Sequence, residues 1–227
     1  MSEHLGYPKI TAIICTLDEE PNLKHVLPDI PDWVDEVLIV DGHSTDNTVK
    51  VAKDLCPRAR IILQSGKGKG NALKEGVKAS SGEIIVTLDA DGSTNPQDIG
   101  KYIQPLLEGF DFAKGSRFLK GRPKMPLYRQ LGNWVLTTTT NILFGTNYTD
   151  VCSGYNAFWE RSFMVLKLSR DGFEMEQEMA VKVKKLGLQV IEVEQYDAGR
   201  LSSNSKVSGI KQGIIDWITI IKEHFRD

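Results

Sequence analysis

Short apolar runs recur along the first half of the chain, and a segment with helix signals separates each from the next. Residues Ile10 to Cys15, Glu36 to Val40, Arg60 to Leu63, Ile84 to Leu88 and Phe110 to Lys114 read as strands. Helices are predicted between them, at Pro21 to Leu27, Asp46 to Leu55, Gly70 to Ala79 and Pro96 to Leu107. Pro21 suits a first helical turn, and Ser44, Thr45 or Asp46 offers an N-cap to the second helix. Short apolar strands alternating with helices predict βαβ units, hence an α/β fold whose mainly parallel sheet is covered on both faces.

Beyond Gly121 the rhythm changes. A long helix is predicted from Leu127 to Leu143, then irregular chain around Cys152-Ser153-Gly154-Tyr155, a helix from Glu176 to Leu186 and a strand from Gln189 to Val193. Leu201 to Ser208 is a polar Ser/Asn/Lys loop, and Gly209 to Phe225 a last helix. In that helix Ile210, Ile214, Trp217, Ile218, Ile221 and Phe225 fall on one stripe, which predicts packing on the core or on a dimer partner. Trp134, Leu136, Ile142 and Leu143 in the long helix are expected to pack into the core as well.

Composition narrows the class without choosing a function. The chain has 227 residues, 41% hydrophobic and 26% charged, enough to bury one large core. A net charge of -2 gives no basic face for nucleic acid. Cys15, Cys56 and Cys152 are odd in number and lack C-x-x-C spacing, so they read as reduced thiols of a cytosolic protein and not as zinc ligands or disulfides. Met1 to Lys9 has no signal-peptide h-region, and no run approaches the 18 apolar residues of a spanning helix. The expectation is a soluble or peripheral protein.

The chemistry collects at the strand ends, where open α/β sheets bind their ligands. In order, the ends are Cys15-Thr16-Leu17-Asp18-Glu19, then Asp41-Gly42-His43-Ser44-Thr45-Asp46, then Ser65-Gly66-Lys67-Gly68-Lys69-Gly70, then Asp89-Ala90-Asp91, then Gly115-Ser116-Arg117. Asp41 stands where a dinucleotide fold keeps its ribose-binding acid, yet the first turn holds no glycine to admit a pyrophosphate. Gly66 to Gly70 lacks Walker A spacing and does not follow the first strand. What remains is a nucleotide held by acids at its base and ribose, with a metal on Asp89 and Asp91 neutralising its diphosphate.

In this pattern the chain resembles a family 2 glycosyltransferase of the GT-A fold. The likeness runs from Ile10 to about Gly209. It is carried by Ile13 to Leu23, by Val40-Asp41-Gly42-His43-Ser44-Thr45-Asp46, by Gly68-Lys69-Gly70-Asn71-Ala72 and by Leu88 to Asp91. Gly115-Ser116-Arg117, Ser153-Gly154-Tyr155-Asn156-Ala157-Phe158 and Gly172-Phe173-Glu174-Met175-Glu176 continue it. Within the family the chain looks most like the polyprenyl-phosphate (dolichol-phosphate) glycosyltransferases.

The resemblance implies one GT-A domain over residues 1–227, with a nucleotide-sugar half at 1–117 and an acceptor half at 118–227. It implies an inverting, metal-dependent transfer from a UDP- or GDP-sugar to a polyprenyl phosphate. The alternative is transfer to a saccharide or glycolipid hydroxyl; more distant ones are a nucleotidyltransferase and a non-catalytic nucleotide-sugar-binding module. Thr16, Asp18, Glu19 and Asp41 would hold the nucleoside, with Leu17 where an aromatic residue often packs on the base. Asp91, helped by Asp89, would hold Mg²⁺ or Mn²⁺. Arg117 would meet a donor or acceptor phosphate, and Arg129, Arg200 and Lys206 are candidates for the same task. Lys69, Gly70, Ala90, Ser153, Gly154 and Tyr155 complete the implied substrate contacts. Asp91, Arg117 and Glu176 are the implied catalytic residues, with Glu178 and Asp150 as alternatives to Glu176 for a base. The Leu201 to Ser208 loop is expected to close over bound donor. A polyprenyl acceptor would give the Leu127 to Leu143 helix a second reading, as a groove or membrane-facing surface. Peripheral contact with the cytoplasmic membrane face and a homodimer are further partners this reading admits.

Overall fold

The computed structural model describes residues 6–120, 123–199, 201 and 209–226. Seven strands form one sheet: β1 (Ile10–Thr16), β2 (Glu36–Asp41), β3 (Arg60–Leu63), β4 (Ile84–Asp89), β5 (Phe112–Ser116), β6 (Asn156–Trp159) and β7 (Val190–Glu194), in the order β3-β2-β1-β4-β6-β5-β7. All pairings are parallel except the two made by β6, which runs antiparallel between β4 and β5. The expected α/β fold with a mostly parallel sheet is therefore present.

Residues alternate sides along each strand, as the two-residue period requires. Ile14, Leu88 and Val86 join one core with Tyr102 and Ile99 from α4 (Ile99–Leu107). Ile13, Val40 and Phe158 face the other side. There they pack with Leu73 of α3 (Lys69–Ala79) and Met179 of α7 (Met175–Lys185). Helices α1 (Glu20–Leu23), α2 (Thr48–Leu55) and α6 (Glu160–Leu166) complete the covering layers.

Several expectations are corrected. The strand β6 and the helix α6 were not foreseen; β6 has only four residues and runs straight into α6, so neither period has room to show. The first helix ends at Leu23, and a separate 3₁₀ turn spans Leu27–Asp29. Asp46 acts at the start of α2, where one of its carboxylate oxygens accepts from Thr48 N at 2.9 Å. Ser44 and Thr45 are instead drawn to Asp41 and Asp18.

The larger correction concerns α5 (Leu127–Phe144) and α8 (Gly209–His224), which pack against each other. Both were expected to bury an apolar stripe. Leu136 is buried as expected and Leu143 packs against the same cluster, but Trp134 and Ile142 are exposed. Otherwise α5 buries Asn133, Thr137 and Thr140, while α8 buries Asp216, Thr219, Ile220 and Glu223. Among the described residues no helix is long and apolar enough to cross a membrane.

Candidate active site

The C-terminal ends of β1, β2 and β4 open into a cleft of about 1780 Å³, whose far wall is made by α5 and α8. Thr16, Leu17 and Glu19 line its first end with Gly42 and His43. Thr16 Oγ1 donates to Asp41 Oδ1 at 3.0 Å, and Asp41 also accepts from Ser44 N at 2.8 Å and Ser44 Oγ at 2.6 Å. Asp41 thus sits buried just behind the cleft wall and orders the turn that presents His43. His43 has a φ of 66° and Asp18 one of 46°, a left-handed conformation that side chains other than glycine rarely adopt. These two left-handed residues follow β1 and β2, which lie side by side in the sheet.

Asp18 braces that pair. Its Oδ1 accepts from Thr45 N at 2.6 Å, and its own N–H donates to Ser44 Oγ at 2.8 Å. It is absent from the cleft lining, so its carboxylate shapes the wall from behind. Leu17 is the half-exposed apolar side chain on that wall, where a flat base can rest.

The middle of the cleft is a charged cluster. Lys69, at the start of α3, places its ammonium 2.7 Å from Asp89 Oδ1 and 3.0 Å from Glu176 Oε1. Burial works against that charge, but Asp89 and Glu176 outweigh it and hold the ammonium's pKa above the ordinary lysine value. Gly154 lies against this pair, and a Cβ there would come within 2.8 Å of both Asp89 oxygens. Glycine is what lets the β6 approach close over the ions.

The glycines beside Lys69 have a different task from the one expected. Gly68 has a φ of 93°, and a Cβ on it would strike the Asp171 carbonyl. Gly70 N donates to Gly172 O at 3.2 Å and Asn71 N to Asp171 O at 3.0 Å. These amides are spent on the loop before α7, so the turn carries Glu176 to Lys69 and offers Gly70 N to no substrate.

Arg117 follows β5 and reaches the cleft already paired. Its Nε lies 2.6 Å from Asp150 Oδ2 and its Nη2 2.9 Å from Asp150 Oδ1, a two-pronged contact. Burial disfavours the Asp150 charge, yet Arg117 and Lys114 more than compensate and hold that carboxyl below its ordinary range. Asp150 is fully buried and serves as the counter-ion of Arg117, not as a base. Glu178 is likewise committed: it accepts from Ser169 N and Arg170 N at 2.9 Å each and pairs with Lys182 at 2.9 Å. Of the three acids considered for a base, Glu176 alone lines the cleft.

Ser153 and Tyr155 are second-layer residues. Ser153 Oγ bonds Gln195, and the Tyr155 ring stacks on Tyr102 at 4.0 Å with its hydroxyl on Asn95 O. Neither lines the cleft; they fix β6 beneath it. Ala90, Asp91 and Arg129 do line it, and Asp91 Oδ1 accepts from Ser93 N at 3.0 Å. Arg200 and Lys206, with the loop expected to close, lie outside the described residues, apart from Leu201, whose N–H donates to Asp91 O at 3.3 Å.

Gln177 and Asp216 are among the lining residues that the sequence reading did not single out. Gln177, next to Glu176, donates from Nε2 to Cys152 Sγ at 3.3 Å, and its position beside a recognised motif was the available signal. Asp216 faces the cleft from α8, bonded by Gln212 Nε2 at 2.8 Å. Burial pushes its pKa up to about 6, with the nearby Glu174 and Glu176 charges adding to the effect. Nothing in its spacing separates it from a surface charge. Cys15 and Cys152 also line the cleft, and burial pushes each thiol up to about 12, which removes them as thiolate nucleophiles.

Asp89 and Asp91 supply two carboxylates at one strand end, and no group of three or more acid, histidine or cysteine ligands occurs among the described residues. That donor set fits a hard divalent cation completed by substrate phosphates, and not an all-protein cage.

The profile of glycosyl transferase family 2 matches residues 11–166. The chain belongs to glycosyl transferase family 2. This family member is 36% identical over 217 residues to glycosyltransferase AglJ of Haloferax volcanii, covering 92% of this chain and 71% of that one. It is 32% identical over 209 residues to a UDP-N-acetylglucosamine–dolichyl-phosphate N-acetylglucosaminyltransferase of Methanococcus voltae, covering 81% and 83%. Glucosyl-3-phosphoglycerate synthase from Mycobacterium tuberculosis, solved with Mn²⁺, UDP and glucosyl-3-phosphoglycerate, superposes with a TM-score of 0.77 at 21% identity, covering 100% of this chain and 88% of that one. That likeness shows the shared GT-A fold, and the protein is a glycosyltransferase of this family.

Proposed function

We propose that this glycosyltransferase moves a sugar, with inversion, from a UDP- or GDP-sugar to a polyprenyl phosphate. One observation carries the reading: a single cleft joins a polar end, with Lys69, Asp89, Asp91 and Arg117, to an apolar end walled by Leu131, Val135, Ile210, Ile214 and Trp217. A phosphate on a long hydrocarbon chain matches both ends. The dolichyl-phosphate acceptor in the name of the Methanococcus voltae relative supports the same class.

In this reading Leu17, Thr16 and Glu19 seat the nucleoside, while Asp41 orders the turn behind it. Asp91, with Asp89, would hold Mg²⁺ or Mn²⁺, which would supply Lewis-acid stabilisation of the departing diphosphate. An oxygen of the lipid phosphate attacks the anomeric carbon from the face opposite the diphosphate. The carbon–oxygen bond to the diphosphate breaks, and its electron pair leaves with the nucleoside diphosphate. A phosphate monoester has its second pKa near about 6 and arrives as an anion, so no protein base is required. Arg117 and Arg129 provide cations for the acceptor phosphate, and Lys69 keeps Glu176 and Asp89 in place. The three free cysteines fit a reducing compartment, so we place the reaction on the cytoplasmic side.

A second reading rests on Glu176, which reaches the cleft beside Asp89 and could deprotonate a sugar hydroxyl. Thermal unfolding with UDP- and GDP-sugars, with and without Mg²⁺ or Mn²⁺, tests the donor half. A metal-dependent rise with at least one nucleotide sugar is expected; no response to any of them sinks the proposal.

A further inference from the structure

Helices α5 and α8 are built inside out. On a helix, Leu127, Leu131, Trp134 and Ile142 fall within one arc, opposite the buried Asn133, Leu136, Thr137 and Thr140. Leu127 is 80% exposed and Ile142 76%. The same phase recurs on α8, where Ile210, Ile214, Trp217 and Ile218 stand exposed opposite buried Asp216, Thr219, Ile220 and Glu223. Phe225, just past its end, is 79% exposed. Large apolar side chains exposed along one arc of each of two helices that pack together point to an interaction surface.

The charges say what kind. Helix α5 contains no acid, and its only charged residue is Arg129. Both acids of α8 point inward: Asp216 and Glu223 are buried, the latter held by Arg226 at 2.9 Å. Its exposed cations are Lys211 and Lys222, with Lys124 preceding α5, while Arg226 beyond α8 is paired with Glu223. The face therefore presents cations around an apolar strip and no exposed carboxylate on either helix. Pairing it with a second copy about a twofold axis would bring those cations together. An anionic bilayer meets both features, since interfacial helices bury their apolar side among acyl chains while basic residues meet acidic headgroups. Tryptophan also favours that boundary.

We propose that the α5–α8 face seats the protein on an anionic lipid bilayer. Ile210, Ile214 and Trp217 line the cleft as well as this face, so seating turns the apolar end of the cleft toward the lipid. The inference agrees with a polyprenyl acceptor but stands on the two helices alone.

The test is sedimentation of the full chain with phosphatidylcholine vesicles, with and without phosphatidylglycerol, and without any polyprenyl phosphate. Binding is expected only when phosphatidylglycerol is present, and it should fall with rising salt. Combined Ile142→Ser, Ile218→Ser and Phe225→Ser, none of which lines the cleft, should lower the vesicle partition at least about tenfold. Lys211→Glu with Lys222→Glu should do the same. Brominated lipid should quench tryptophan fluorescence in the wild type. Transfer to a detergent-dispersed acceptor should survive the triple substitution, which separates this face from the chemistry. No binding to anionic vesicles overturns the proposal. So does binding that the substitutions leave unchanged, or a dimer in vesicle-free solution that the same substitutions dissolve.

Discussion

The Lys69 ammonium lies 2.7 Å from Asp89 Oδ1, so the first acid of the Asp89-Ala90-Asp91 run has a resident cation. The same ammonium holds Glu176 at 3.0 Å, tying the start of α3 to β4 and α7. Removing it leaves two neighbouring carboxylates without their shared counter-charge. Lys69→Met should cost about 3 to 5 kcal/mol of stability, the range for breaking a buried ion pair. Lys69→Arg should recover part of it. Urea unfolding measures both; a Lys69→Met protein as stable as the wild type would show that the cluster is not coupled.

Arg117 and Asp150 form a second buried pair, with contacts of 2.6 and 2.9 Å. Arg117→Ala or Asp150→Ala alone strands one charge, for about 3 to 5 kcal/mol each. The double substitution should cost clearly less than the sum, and a double-mutant cycle reads that coupling directly. Additive losses would mean the pair contributes nothing as a pair.

Much of the fold was legible in the chain because five short apolar runs each end in polar or glycine-rich turns. Strand ends, not strand interiors, located the cleft. What the pattern could not supply was the side on which α5 and α8 meet the rest of the molecule. A stripe of Ile and Trp defines two faces, but only packing says which face is covered. Here small polar residues go inside: Thr140 Oγ1 satisfies itself on the Leu136 carbonyl at 2.9 Å, and Thr137 packs beside Asn133. Similarly, the Gly68-Lys69-Gly70 spacing signalled a site but not its use. Its glycines admit the Asp171 and Gly172 backbone. The Ser153 to Tyr155 motif lies one layer deeper than its position in the sequence implied.

Asp216 gives a pH signature. Its folded pKa is raised to about 6 from an ordinary value of 3.8, so the folded state holds the proton more tightly than the unfolded chain. The native state therefore loses stability from this group as pH rises from about 4 through 6, and carries the full penalty above that. Asp216→Asn keeps an acceptor for Gln212 and removes the charge. Its melting temperature should exceed the wild type at pH 7.5, with the gain shrinking toward pH 4. An equal effect at both pH values would contradict a buried, titrating carboxyl.

Asp91 lines the cleft two residues beyond β4, and the proposed reading gives it the lead in holding the metal on the diphosphate. Asp91→Ala should lower the transfer rate by about a hundredfold or more, the scale for losing a transition-state charge stabiliser. It should also abolish Mn²⁺-dependent stabilisation by the nucleoside diphosphate while leaving the unliganded melting temperature close to the wild type. Retained metal dependence would move the metal elsewhere.

The most direct test of the acceptor is mass spectrometry of the lipid product formed from polyprenyl phosphate, a nucleotide sugar and Mg²⁺ or Mn²⁺, by wild type and by Glu176→Gln. The account predicts a glycosyl phosphodiester of the lipid from both proteins, because the phosphate attacks without a protein base. A wild-type protein that makes no such lipid and instead glycosylates a saccharide hydroxyl, with Glu176→Gln inactive, would contradict it.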